Sequence, residues 1–171
     1  MFFFFLFSVN AYSQDVEKFG LRHVKGSNQI GLRVGKGTKN KIAYGITYDH
    51  YFNTKTALAV EIDQERAVFG KTDFYNLALL GIGVDFAAWR PINWLYIHVS
   101  GAGCVGADRW SSNVIDLEKT IIVYGINVGG NAEFFCNNFI SLAVKAQQYF
   151  LTGEGYTYFK PNFSLLLRFN F

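Results

Sequence analysis

Proline is scarce in this chain: there are 2 in 171 residues, alongside 2 cysteines and 1 methionine. Few prolines leave long stretches of backbone free to pair, because proline removes a ladder donor. So few cysteines exclude the disulfide scaffold that staples many small secreted domains. No apolar run reaches the roughly 20 residues a membrane-crossing helix needs. Charge is also low, at 17% of residues with a formal net charge of +3. Nothing gathers the Lys and Arg into a patch, so nucleic-acid binding has no electrostatic footing. What is abundant is apolar and aromatic, at 50% and 18% of residues, with 17 glycines for tight turns. The aromatic share is high for a soluble domain and suits girdles at a lipid–water boundary.

Met1 to Ser13 predicts a secretory signal. Phe2 to Phe7 is unbroken apolar sequence, and Ala11-Tyr12-Ser13 places small residues where a signal peptidase reads, with the cut before Gln14. No Lys or Arg precedes the run, so the amino terminus is its only positive charge. No cysteine follows it, which argues against a lipid anchor. Residues 14–26 are mixed and polar and read as a short periplasmic lead-in; residues 27–171 read as one domain.

That domain alternates between period-two stretches and turn chemistry. The end is the clearest case: Phe163, Leu165, Leu167, Phe169 and Phe171 share one phase, while Ser164, Arg168 and Asn170 occupy the other. Period two is the period of a strand, whose successive side chains leave opposite faces. The same alternation predicts strands over about 27–35, 41–52, 58–63, 74–87, 95–100, 122–133 and 140–147. Leu77 to Leu80 is apolar in both phases, which suggests a bulge. Trp89 to Trp94 and Phe135 to Asn138 read as turns, and Ala107 to Glu118 as the longest polar connection. The expected fold class is all-β: a transmembrane antiparallel up-and-down barrel of about eight strands with short periplasmic turns. An even count puts both chain ends on the periplasmic side, and closure leaves no strand edge unpaired in lipid.

The phase of the charges separates two kinds of barrel. Arg33, Asp49, Glu61, Asp63, Asp85, His98, Glu133, Lys145 and Arg168 share a face with Gly, Ala and Ser. Small and charged residues suit a crowded lumen where opposite signs pair. Arg168 is expected to pair with Glu133 or Glu61. The apolar face then looks outward to lipid, with Trp89, Trp94, Phe163, Phe169 and Phe171 as closure and girdle residues. A soluble lipocalin-like barrel would instead turn its apolar face inward around a ligand. With about eight strands the interior is filled by side chains, so a diffusion pore is not expected.

Motifs for chemistry are weak. Gly101-Ala102-Gly103-Cys104-Val105-Gly106 matches the dinucleotide fingerprint in letters, but a polar loop follows where a helix is required. Cys104 and Cys136 fall at opposite ends of a membrane-spanning strand and are expected to be free thiols. His23, His50 and His98 lack metal-ligand spacing. His98 and Ser100 both face a packed lumen, so no enzyme, cofactor or metal is expected, nor a small-molecule substrate.

Residues 124–171 resemble the end of the TraO family of conjugative-transposon transfer proteins of Bacteroides-type bacteria. The resemblance rests on Tyr124-Gly125, Gly129-Gly130, Glu133, Gly153, Phe159-Lys160-Pro161 and Leu167-Arg168-Phe169-Asn170-Phe171. It implies an outer-membrane component of a conjugation apparatus with a structural or docking role. Its expected partners are outer-membrane lipid and other transfer proteins. The alternative is a general small surface barrel, adhesive or protective, with no tie to conjugation.

Overall fold

The computed structural model describes residues 23–37, 41–69, 73–112, 117–154 and 156–171. The secretory signal expected over 1–13, and the lead-in up to residue 22, lie outside them. Eight strands follow in order: β1 Asn28–Lys36, β2 Ile42–Tyr51, β3 Thr56–Phe69, β4 Asp73–Ile92, β5 Leu95–Ser112, β6 Leu117–Phe135, β7 Ile140–Gly153 and β8 Tyr156–Asn170. Each pairs antiparallel with its neighbour, and β1 pairs with β8, so the sheet is a closed up-and-down barrel. Among the described residues there is no helix.

Closure is completed at the last residue. Asn28 N donates to Phe171 O at 2.8 Å, and Phe171 N donates to Asn28 O at 2.9 Å. The start of β1 and the end of β8 therefore lie at one end of the cylinder, here called the near end, with the turns after β2, β4 and β6. Two of these turns use the same device. Asn53 Oδ1 accepts from the Lys55 and Thr56 amides, and Asn137 Oδ1 accepts from the Phe139 and Ile140 amides, at 2.8–2.9 Å. An asparagine side chain that holds the backbone two residues on stands in for a backbone turn. Pro161 lies in β8 beyond the last β1 pair, Lys36 with Phe163, where β8 has a neighbour on one side only. A missing ladder donor is tolerated at such a position.

The alternation holds round the barrel. Ile30, Leu32, Ile46, Ile62, Ile82, Val128, Val144 and Leu165 are exposed on the outside, while their chain neighbours are buried or half-buried within. The outcome is an apolar belt with a polar interior, the inverse of a soluble barrel built around an apolar cavity.

Three expectations are corrected. Ala107 to Glu118 is not one long connection: β5 runs to Ser112 and β6 starts at Leu117, so most of it is paired strand. The paired residues are polar in both phases, with Asp108 buried inside and Arg109 exposed, so the alternation fades while the ladder continues. The ladder is regular at Leu77 to Leu80, and its shifts fall between Ala87, Trp89 and Ile92. Leu77 and Leu79 are apolar because they enter a buried cluster. Trp89 to Ile92 accordingly belongs to β4, and the turn is confined to Asn93-Trp94.

Candidate functional site

Every lumen-facing position in a closed barrel of this size points at the opposite wall, so side chains from distant strands meet. Arg168, Tyr51, Tyr75, Lys145, Leu151 and Leu166 are all buried beyond 98%. They fill the cylinder in layers.

The layer at the near end is centred on Glu133 of β6. Its Oε1 accepts from Gln29 Nε2 at 2.6 Å and from Ser141 Oγ at 2.5 Å. Its Oε2 faces His23 Nε2 at 3.1 Å, His98 Nε2 at 3.2 Å and Arg168 Nη1 at 3.3 Å. His98 Nδ1 sits 2.8 Å from Asp85 Oδ1, and Asn131 Nδ2 donates to Asp85 Oδ2 at 3.2 Å. Arg168 also approaches Asp49 at 3.9 Å. Arg168 thus pairs with Glu133 and Asp49, and not with Glu61.

His23 precedes the first strand, yet its side chain is buried at the near end of the lumen. It stacks on Tyr51 with ring centroids 4.3 Å apart, and Tyr96 and Phe135 flank it at 4.6 and 5.3 Å. Burial is the largest influence on its proton affinity and lowers it below the ordinary imidazole value, against the pull of Glu133.

The middle layer joins β1, β3 and β7. Lys145 bonds Glu61, and Arg33 bonds Asp63. Gln147 donates to Glu61 Oε2 at 2.9 Å and accepts from Arg33 Nη1 at 2.5 Å. Tyr149 Oη donates to Asp63 Oδ2 at 2.8 Å. Two cations meet two carboxylates here, so the layer balances its own charge.

Beyond it lies an apolar layer that includes Tyr75, Leu77, Leu79, Cys104, Ile121, Val123 and Leu151. At the far rim, Glu65 holds Lys160 at 3.1 Å and Lys41 at 3.9 Å, and Lys41 Nζ lies 3.2 Å from the centroid of the Tyr75 ring.

All nine sequence-chosen charges, Arg33, Asp49, Glu61, Asp63, Asp85, His98, Glu133, Lys145 and Arg168, are therefore inside, divided between two layers. The girdle residues split as well. Trp89, Trp94, Phe169 and Phe171 are exposed near the termini, whereas Phe163 is exposed towards the far end, opposite Lys36. His23 was not visible to pattern reading, because it sits in a segment with no period. The apolar layer had a signal: Tyr75, Leu77 and Leu79 share the lumen phase of β4 with Gly81 and Asp85.

Ser100 Oγ makes no hydrogen bond, while both His98 nitrogens face carboxylates. No nucleophile–base contact is formed there, as acyl chemistry would require. Gly101 to Gly106 lies wholly within β5. Cys104 is buried and Cys136 exposed, both as free thiols.

No protein-family model matches the chain, and no curated protein matches it. Solved structures do. The N-terminal β-barrel domain of Pseudomonas aeruginosa OprF aligns with a TM-score of 0.70 at 14% identity, over 86% of this chain and 98% of that one. Neisserial surface protein A aligns with a TM-score of 0.64 at 10% identity, over 85% and 96%. Ail, the attachment invasion locus protein of Yersinia pestis, aligns with a TM-score of 0.61 at 13% identity, over 86% and 100%. At these identities the likeness is one of architecture: the chain has the closed eight-stranded antiparallel fold of outer-membrane barrels.

Proposed function

We propose that this chain is an exported, integral outer-membrane barrel with a structural role, serving a conjugative DNA-transfer apparatus as a docking or loop-presenting component. The observation that carries membrane integration is the outward apolar belt on a closed, charge-filled cylinder. Such a belt cannot be covered by the molecule itself, and closed barrels are one of the two backbone solutions for crossing lipid. In this reading the near end faces the periplasm, residues 14–26 lead in from that side, and the far rim faces outward. Lipid and other transfer proteins are its partners; nucleic acid is not contacted directly, and no substrate or cofactor is used.

Gel mobility of fractionated membranes, with and without boiling, tests the membrane reading. A heat-dependent shift in the outer-membrane fraction is expected, and a soluble chain would overturn it. The conjugation role is supported by the resemblance of residues 124–171 to the TraO family. Deleting the chain from a donor cell should then lower transfer frequency while leaving growth intact.

A second reading, a general adhesive or protective surface barrel, is supported by the shared fold of Ail and Neisserial surface protein A. Unchanged transfer together with lost surface adhesion would favour it.

A further inference from the structure

The near-end layer contains more negative charge than its arginine offsets. Asp49, Asp85 and Glu133 are buried there; Arg168 pairs with Asp49 and Glu133, and His98 lies against Asp85. Buried charges demand compensation. One divalent cation would supply it.

Geometry favours the cation. A ring nitrogen of His23, a ring nitrogen of His98 and a Glu133 oxygen all lie within 4.8 Å of one another. Zinc bonds of ~2.0–2.1 Å in a tetrahedral shell set ligand atoms about 3.3 Å apart. The two imidazole nitrogens are 3.1 and 3.2 Å from Glu133 Oε2, close to that spacing. His98 Nε2 is fully buried and points at this spot, with Glu133 Oε2 facing it at 3.2 Å. Its other nitrogen lies against the Asp85 carboxylate, the arrangement that orients a metal-bound histidine.

We propose that His23, His98 and Glu133 bind one divalent transition-metal ion of the zinc type. Asp85 positions His98, and the ion clamps the segment before β1 into the mouth of the barrel. Two histidines and a carboxylate are a recognised donor set for zinc, with a fourth position for water. Arg168 keeps Asp49 and Asn131 as partners when Glu133 turns to the metal. The site depends on the lumen alone and stands whether or not the chain serves conjugation.

The full chain, purified in detergent and stripped with chelator, is dialysed against zinc and analysed for bound metal. About one zinc per folded barrel is expected. His23→Ala removes a ligand that lies outside the strands, so it should keep heat-dependent mobility and lose the zinc. Zinc should also shield Lys25 from trypsin in the wild type but not in His23→Ala. Cobalt, used as a probe of the wild type alone, should give the visible absorption of a tetrahedral ion. Folded wild-type barrel without stoichiometric zinc, zinc retained undiminished in both His23→Ala and His98→Gln, or a hydrated-cobalt spectrum would each overturn the site.

Discussion

Arg168 shows what a single lumen residue contributes. It is 1% exposed and bridges the carboxylates of Glu133 and Asp49 from the last strand to be made. Removing one partner of a buried pair strands the other, at a cost of about 3–5 kcal/mol. Arg168→Ala should therefore lower the unfolding free energy of the refolded barrel by that order in denaturant titrations, and reduce folding yield. Its location in the charged phase was legible from the alternation of β8. Its partners were only half legible, because phase names a face and not the height at which side chains meet. The thiols make a second test at this scale. Cys136 should react with a maleimide in the folded barrel, Cys104 only after unfolding, and reduction should leave the mass of the untreated chain unchanged. A native bridge would contradict the strand between them.

A strand presents two surfaces that answer to different solvents. Leu165 of β8 is 60% exposed, flanked by Val34 of β1 and Val144 of β7, in the middle of the apolar belt. Leu165→Arg should destabilise the lipid-embedded barrel by about 2–4 kcal/mol, measured as a shift in urea midpoint in vesicles. The same change in detergent-free water would be nearly silent for a soluble barrel, so the experiment also tests which solvent the belt meets. β4, β5 and β6, at 20, 18 and 19 residues, exceed the 9–11 residues a tilted strand needs to cross a bilayer. Their extra length carries polar pairs such as Arg109 with Thr120 past the belt. Alternation detects a strand only where its two faces meet different surroundings. The paired segment around residues 107–112 read as a connection because it is polar in both phases, and Leu77 and Leu79, facing an apolar layer from inside, read as an irregularity.

As a whole, the molecule is a sealed cylinder: an ionic and aromatic layer at the near end, a balanced ionic layer, an apolar layer and a lysine-rich rim. With the bore filled at several heights, the barrel should give no steady conductance in a planar lipid bilayer at concentrations where a porin does. Stable single-channel steps would contradict the packing described. Strand count, the two faces and the inward phase of nine charges were set by the sequence alone, because period two is a local property that each segment displays unaided; Lys41, Glu65, Asp108 and Lys160 are further buried charges that it did not single out. Only the tertiary structure decided which charges share a layer, which lumen heights are apolar, and that His23 enters the barrel. Those outcomes depend on register across eight strands and on one segment folding back. Contacts so far apart in the chain, 110 residues between His23 and Glu133, leave no trace in local pattern.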